Sequence, residues 1–232
     1  MPKKPDSQHF ANGHFDSIET LSEKENYFTP VLREVASYLK FDKVKVLDVG
    51  CGTGLFMKTL IDAGCTECFG VDGSHGHIQH ALKRGYKEIR LVDDLSTSVL
   101  PFDDATFDFV VCKDVLEHLL HPLHVLSEIK RVLRKEGLLL VHVPNHFPLY
   151  GRIKFLLNNN IDTFSFFENE TRWTFPHIRF YEYNGFIEQL QLNGFEPIKN
   201  LSGYFALMPV VQRLPIFKGL VKRLANDYPN QF

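Results

Sequence analysis

The sequence contains few cysteines and no hydrophobic run long enough to cross a bilayer. Four cysteines among 232 residues are too few for a disulfide framework and favour a reducing compartment. The first twelve residues are polar and lack the apolar stretch of a secretory signal. No later segment has the roughly 20 consecutive apolar residues of a membrane helix. We therefore expect a cytoplasmic protein without a transmembrane segment.

Neither sign of charge is in excess. The 26 lysines and arginines nearly balance the 28 aspartates and glutamates, so no overall field attracts nucleic acid or an anionic membrane. Internal repeats and low-complexity linkers are also absent. A chain of this length without such a linker favours a single domain over residues 1–232, and we expect no nucleic-acid partner.

The sequence does contain an alternation of helical patterns with short, continuous apolar runs. The apolar runs predict strands at residues 44–49, 68–71, 89–92, 107–112 and 138–143. The helical patterns lie at residues 28–39, 55–63, 74–85 and 122–133. Because buried strands that alternate with helices pair in parallel, the pattern predicts an α/β fold with a doubly wound, mainly parallel sheet.

The alternation is interrupted between residues 146 and 183. This segment is rich in aromatic residues, has no clean period, and contains Arg152, Arg172 and Arg179. It is predicted to be an insertion over the ligand-binding edge. There it either forms a lid for a bulky or anionic acceptor or packs its aromatic residues into a small core of its own. A helix at residues 182–192 and a strand from Phe195 follow.

The last apolar stretch, residues 210–224, is interrupted by Pro215 and carries four basic residues. It is expected to cover an edge of the sheet. Contact with a membrane surface, or with a second subunit of an oligomer, is the alternative.

The first predicted strand runs into a glycine-rich loop. Gly50, Gly52 and Gly54 stand in the sequence Leu-Asp-Val-Gly-Cys-Gly-Thr-Gly at residues 47–54, and a ligand can approach a backbone closely where side chains are missing. A nicotinamide-dinucleotide fingerprint would place its third glycine at position 55, which is Leu55. The loop therefore predicts a different nucleoside-like ligand.

Carboxylates follow the next two predicted strands. Asp72 ends the second strand, where it can accept hydrogen bonds from the vicinal hydroxyls of a ribose. Asp93, Asp94 and Leu95 follow the third strand, where a carboxylate can accept from an exocyclic amine and a backbone N–H can donate to a ring nitrogen, as adenine requires. Since the carboxyl ends of parallel strands meet at one sheet edge, these features predict one shared binding site.

Together these segments resemble the class I S-adenosylmethionine-dependent methyltransferases, in particular the small-molecule and ubiquinone-pathway enzymes. The resemblance covers residues 44–145. Its carriers are the glycine loop, Gly-Val-Asp at 70–72, Leu-Pro-Phe at 100–102, Asp-Val-Leu-Glu-His at 114–118 and Arg-Val-Leu at 131–133. It implies a Rossmann-like sheet of seven strands. The sequence ends near the point where the family's last antiparallel strand would begin, so that strand is predicted to be absent or to come from elsewhere.

The resemblance also implies S-adenosyl-L-methionine as the cofactor and S-adenosyl-L-homocysteine as its product. Asp48 and the backbone of Gly50, Cys51, Gly52 and Gly54 would hold the methionine end, Asp72 with the adjoining Gly73 the ribose, and Asp93 or Asp94 with Leu95 the adenine, while Lys113 and Asp114 would line the end of the fourth strand.

Methyl transfer from a sulfonium is an in-line displacement, for which the protein must align the reactants, exclude water and, for a protonated acceptor, remove a proton. His118 after the fourth strand and His146 after the fifth are the candidate general bases. Neither a Pro-Cys nucleophile nor an Asn-Pro-Pro-Tyr turn follows the fourth strand, which argues against nucleic-acid and glutamine acceptors. The predicted acceptor is an oxygen or nitrogen of a small-molecule or glycan-like compound.

Two sets of histidines have spacings that invite a metal interpretation, at positions 118, 121 and 124 and at positions 75, 77 and 80. Because neither set has a convergent carboxylate, no metal site is expected.

A second resemblance supports an alternative function. Pro144, Asn145, Arg152, Trp173 and Pro-His-Ile at 176–178 are similar to residues of the MetW-type proteins of methionine biosynthesis. That similarity implies a cofactor-binding protein that modulates a partner enzyme.

Overall fold

A computed structural model describes residues 34–146 and 177–202, together with residues 31, 152, 153, 156, 157 and 223. Its strands are β1 (Lys45–Val49), β2 (Glu67–Asp72), β3 (Glu88–Leu91), β4 (Phe107–Lys113) and β5 (Leu133–His142). Its helices are α1 (Leu55–Asp62), α2 (His75–Leu82), α3 (Pro122–Val132) and α4 (Tyr183–Leu192). Short 3₁₀ turns span Phe41–Lys43 and Leu116–His118.

The described residues form two compact units. The first contains residues 34–143 with residues 177 and 178, and the second contains residues 144–146 and 179–202. Most of the predicted aromatic insertion at 146–183 lies outside the described residues, as does the stretch 210–224 apart from residue 223. The single domain over residues 1–232 with its lid therefore stays a prediction.

The sheet of the first unit has the strand order β3–β2–β1–β4–β5, with every neighbouring pair parallel. Its order reverses at β1, where Val49 lies between Val71 of β2 and Cys112 of β4. The chain moves outward from β1 to β3 on one side and from β4 to β5 on the other, so right-handed crossovers would place α1 and α2 on one face and α3 on the other. The predicted doubly wound, mainly parallel α/β fold is confirmed. In folds of this class ligands bind where the strand order reverses, which here is at the carboxyl ends of β1 and β4.

The centre of the sheet forms the core of this unit. Val46 and Leu47 of β1 are fully buried, as expected for a parallel strand covered on both faces. Phe107, at the start of β4, packs edge-to-face with Phe69 and Phe102 at centroid distances of 5.6 and 4.9 Å. Such aromatic pairs stabilise the fold beyond their buried area.

The five strands and the helices between them begin and end close to the predicted residues, with one larger difference. β5 begins at Leu133, five residues before the predicted strand, because Leu133 already pairs with Phe107. The ladder then shifts register before Leu138 pairs with Phe109. The intervening Glu136 has a φ of 63°, as at an irregularity in a strand.

Two of the seven predicted strands are not among the five described. The strand predicted from Phe195 is wrong for residues 195–202, which form no strand. The Phe195 N–H instead donates to the Leu190 carbonyl and closes the end of α4, where Gly194 has a φ of 77°. The prediction about the family's last strand concerns residues beyond 202, which lie outside the described residues apart from residue 223. No helix within the described part of the chain is long and apolar enough to span a bilayer.

Arg131 on α3 braces the turn that precedes β4. Its guanidinium donates to the carbonyl oxygens of Leu100 and Phe102 at 2.9 and 2.8 Å. The same group forms ion pairs with Asp104 and Glu128 at 2.8 and 2.7 Å. Glu128 also accepts from the Leu100 N–H at 2.8 Å. One planar side chain, that of Arg131, thus holds all four of these residues together.

Asp48 is a carboxylate in the interior of the sheet. It lies on β1, is 3% exposed, and accepts a hydrogen bond of 2.8 Å from the Tyr86 hydroxyl. Burial raises the pKa of Asp48 from 3.8 to about 7. The Tyr86 hydrogen bond and the charge of Lys113 act against this rise, and the negative charge of Asp72 adds to it.

The Arg131 brace predicts that Arg131→Lys lowers the free energy of unfolding by roughly 1–3 kcal/mol, because a single ammonium cannot replace the forked donor set. The matched control is Arg134→Lys, whose side chain is 46% exposed and pairs with Asp108; its cost should stay below about 1 kcal/mol. Urea denaturation of both variants measures the difference. Equal costs would contradict a bracing role for Arg131.

Asp48 predicts a specific pH dependence of stability. Its pKa is higher in the folded state than in the unfolded state, so the folded state retains the proton longer and the wild type loses stability as pH rises from about 4 to 7. Asp48→Asn has no group that titrates there. The difference in free energy of unfolding between this variant and wild type should therefore shift in favour of the variant by on the order of 2 kcal/mol from pH 4 to pH 8. Denaturation at both pH values checks the sign. A stability difference that does not change with pH would show that Asp48 has an ordinary pKa.

Candidate active site

The glycine loop between β1 and α1 adopts a left-handed backbone at each of its glycines. The φ angles of Gly50, Gly52 and Gly54 are 71°, 52° and 81°. A Cβ on Gly50 would lie 2.4 Å from Val115 Cγ2, and one on Gly54 would lie 2.7 Å from Tyr86 Cε2. A Cβ on Gly52 would meet no protein atom within 4 Å. Packing therefore explains the outer two glycines, whereas Gly52 lies where a ligand can approach the backbone.

Asp72, at the end of β2, ties the glycine loop to the beginning of α2. One carboxylate oxygen accepts from the Gly52 N–H at 2.8 Å. The other accepts from the Ser74 N–H and contacts Nδ1 of His77, both at 2.9 Å. The residue as a whole is 8% exposed. Since a carboxylate has about four acceptor positions, Asp72 retains capacity for a ligand hydroxyl.

The loop is also supported from its other side. The Arg84 guanidinium donates to the Thr53 carbonyl at 2.8 Å, and the Tyr86 ring packs against Gly54 and Gly70. Sequence analysis identified none of Arg84, Tyr86 and His77 as part of the site. No spacing signal could have found Arg84 and Tyr86, because they reach the loop through tertiary packing. His77 contacts Asp72, five positions before it.

The two aspartates after β3 differ in their surroundings. The Asp94 carboxylate accepts from the Ser96 N–H at 2.8 Å and from the Thr97 hydroxyl at 2.9 Å, so it caps the turn that follows. Asp93 and Asp94 are both exposed, whereas Leu95 is buried. A Cβ on Gly73 would lie 3.3 Å from the Val92 carbonyl oxygen, so β2 and β3 end close together at this edge.

Lys113 and Asp114 end β4 with a strained backbone. Asp114 has a φ of 54°, and its carboxylate contacts Lys113 Nζ on one oxygen and His142 Nδ1 on the other. Burial acts to raise the pKa of Asp114, but the hydrogen bonds and positive charges of His142 and Lys113 outweigh it and hold that pKa below its usual range. His142, on the neighbouring β5, was not identified from the sequence.

His118 lies in the turn Leu116–His118, where it meets two residues that sequence analysis missed. Its ring packs edge-to-face on that of His177 at a centroid distance of 4.9 Å, and its Nε2 lies 4.0 Å from Oε1 of Glu117. Burial and the nearby charge of Asp114 raise the pKa of Glu117 to about 7. His177 is 59 positions from His118, so local spacing gave no indication of this cluster.

His146 belongs to the second unit. Its Nδ1 accepts a hydrogen bond of 3.1 Å from the Tyr181 N–H, and its ring packs against Phe180 at 5.0 Å. This arrangement anchors the bridge between Asn145 and Tyr181. The structure thus gives His146 a local structural contact, and its role as a base stays a prediction.

One histidine in each of the two sets considered for metal binding has another contact. His77 binds Asp72, and Nε2 of His124 lies 2.9 Å from the Ser98 carbonyl oxygen. All predicted cofactor residues belong to the first unit, where they occupy or directly follow the carboxyl-terminal parts of β1 to β4: Asp48, Gly50, Cys51, Gly52, Gly54, Asp72, Gly73, Asp93, Asp94, Leu95, Lys113 and Asp114.

Comparison with known proteins supports the resemblance found in the sequence. Residues 47–141 match the methyltransferase domain family. The ubiquinone biosynthesis O-methyltransferase of Haemophilus ducreyi is 32% identical over 108 residues, which cover 44% of this chain and 45% of that protein. The chain thus spans somewhat less than half the length of this relative.

Solved structures share the fold. A SAM-dependent methyltransferase of Thermotoga maritima superimposes with a TM-score of 0.59 at 22% identity, covering 82% of this chain and 81% of that one. The [4+2]-cyclase SpnF superimposes with a TM-score of 0.53 at 21% identity, covering 88% and 80%. Similarity at this level establishes architecture and leaves the chemistry to the site.

The identification depends on both kinds of evidence: the match over residues 47–141 coincides with the strands and loops that form the carboxyl edge of the sheet. The resemblance to the class I S-adenosylmethionine-dependent methyltransferases noted in the sequence is confirmed over residues 47–141, which match a methyltransferase domain.

Proposed function

We propose that this protein transfers a methyl group from S-adenosylmethionine to an oxygen or nitrogen of a small-molecule or glycan-like acceptor. The observation that supports this function most directly is the bond between Asp72 and the Gly52 N–H. It holds the glycine loop beside a carboxylate at the switch point of a parallel sheet, which is where this fold class binds nucleotides.

In this proposal the cofactor lies along the carboxyl edge. The loop backbone and Asp48 hold its methionine end, and the remaining acceptor positions of Asp72 receive the ribose hydroxyls. Asp93 or Asp94 accepts from the adenine amine, with the Leu95 N–H as the donor to the ring. Both residues are exposed, but the Asp94 carboxylate already caps a turn.

The reaction needs alignment rather than a covalent intermediate. The acceptor's lone pair forms a bond to the methyl carbon, the carbon–sulfur bond breaks, and its electron pair stays on the thioether of S-adenosylhomocysteine. A hydroxyl or ammonium acceptor also loses a proton, and His118 and His146 are the candidate groups that promote this loss. A cytoplasmic location and an acceptor with an anionic group complete the proposal.

Gly52 provides the sharpest test of cofactor placement. Gly52→Ala should lower the affinity for S-adenosylmethionine at least about tenfold, because its Cβ would occupy the path of the ligand; the left-handed φ should cost only about 1–2 kcal/mol of stability. Calorimetric titration measures the affinity, and thermal denaturation measures the stability.

Gly64→Ala is the matched control. Gly64 ends α1 with a φ of 99°, and a Cβ there also meets no protein atom within 4 Å. The two variants therefore share backbone strain without packing clashes, but only Gly52 lies on the proposed path. Equal cofactor affinities in both variants would contradict the placement.

The histidines can be separated by kinetics. His118→Ala and His146→Ala should each leave S-adenosylmethionine affinity within about twofold of wild type, while at least one lowers kcat by roughly 10²–10⁴. Production of S-adenosylhomocysteine is measured with phenol, alcohol and amine acceptors. Full turnover by both variants on an acceptor that the wild type methylates would remove both histidines from the mechanism.

A further inference from the structure

Glu117 is the most deeply buried acidic side chain in the described part of the chain. Its exposed fraction is 0%, and neither carboxylate oxygen accepts a hydrogen bond from another described residue. A buried carboxylate without hydrogen bonds is costly, so such groups are normally paired with a positive charge or bound to a metal. The surroundings of Glu117 therefore call for a cation.

Two imidazoles converge on this carboxylate. One ligand atom each from Glu117, His118 and His177 lies within 4.8 Å of the other two. His177, which is 9% exposed, is held there by its neighbour, because the Ile178 N–H donates to the Glu117 carbonyl at 2.9 Å. Backbone pairing thus brings together residues that are distant in sequence.

We propose that Glu117, His118 and His177 bind a divalent transition-metal ion. Two imidazoles and one carboxylate form a donor set typical of zinc and ferrous sites that leave coordination positions open. Metal–ligand bonds of about 2.0–2.2 Å would draw the three atoms to within roughly 3.3 Å of one another. Because these atoms now lie within 4.8 Å of one another, ion binding would require them to approach by up to about 1.5 Å.

The ion site lies beside the glycine loop. Val115 immediately precedes the turn that carries Glu117, and its Cγ2 lies 2.4 Å from the position of a Cβ on Gly50. Asp114 adds a further carboxylate near Glu117. If the proposed methyl transfer is correct, on which this step rests, an open coordination position here takes an oxygen of the acceptor and makes its hydroxyl more acidic. His118 then acts through the ion rather than as a free base.

Metal binding by the full chain after treatment with EDTA tests this assignment. Calorimetric titration with Zn²⁺ should show a single saturable site, and Zn²⁺ should raise the melting temperature because it binds only the folded state. Co²⁺ should give visible absorption bands from nitrogen and oxygen coordination. Mg²⁺ should bind much more weakly, since it prefers oxygen ligands.

Three variants test whether Zn²⁺ binding depends on the proposed ligands and not on a nearby histidine. Glu117→Gln keeps the side-chain shape without its charge, and it should weaken Zn²⁺ binding on the order of 100-fold, as should His177→Gln. His121→Gln is the control, because His121 is exposed and lies only three positions from His118; its affinity should match wild type. Circular dichroism checks folding, and Glu117→Gln alone decides the result if His177→Gln does not fold.

Absence of saturable Zn²⁺ or Co²⁺ binding by folded wild-type protein would overturn the assignment and leave Glu117 as a neutral, protonated acid. Unchanged affinity in Glu117→Gln, or a preference for Mg²⁺, would overturn it as well. Titration of the same EDTA-treated protein with S-adenosylmethionine distinguishes the two proposals. Zn²⁺ binding without cofactor binding would contradict the proposed function and support the ion site.

Discussion

The carboxylate of Asp72 is the interaction on which the candidate site depends. It joins three pieces of backbone that meet at the carboxyl edge: the Gly52 N–H of the glycine loop, the end of β2, and the Ser74 N–H at the start of α2. Each of these bonds is charge-assisted and largely shielded from water, so each is stronger than a neutral surface contact. The loop is therefore held in one conformation before any ligand arrives, which reduces the entropy cost of binding.

Two buried carboxyl groups with raised pKa values lie near this edge. Asp48 lies on β1 and Glu117 in the turn that follows β4, and burial raises the pKa of each to about 7. Each of these groups costs desolvation energy when it is ionised. Ionisable groups with shifted pKa values cluster where a ligand compensates their charge. A cationic sulfonium cofactor near Asp48 and a metal ion at Glu117 would both supply that compensation.

The sequence predicted those parts of the molecule that depend on local patterns. Gly50, Gly52 and Gly54 could be recognised because their left-handed φ angles exclude most side chains, and the strands because their apolar runs match burial on both faces. Tyr86, His142 and His177 could not be recognised, since they reach the site only after strands and turns are assembled. The strand expected from Phe195 failed for a related reason: the end of α4 uses its N–H, and a strand requires a partner that local sequence does not specify.

The architecture alone does not determine the reaction, since a cyclase shares it with methyltransferases. The central claim is that the edge formed by Asp72 and the glycine loop binds S-adenosylmethionine. Parallel calorimetric titrations of the wild-type protein with S-adenosylmethionine, S-adenosylhomocysteine and NAD test it most directly. The account predicts saturable binding of the first two and none of NAD; binding of NAD alone, or of none of the three, would contradict it.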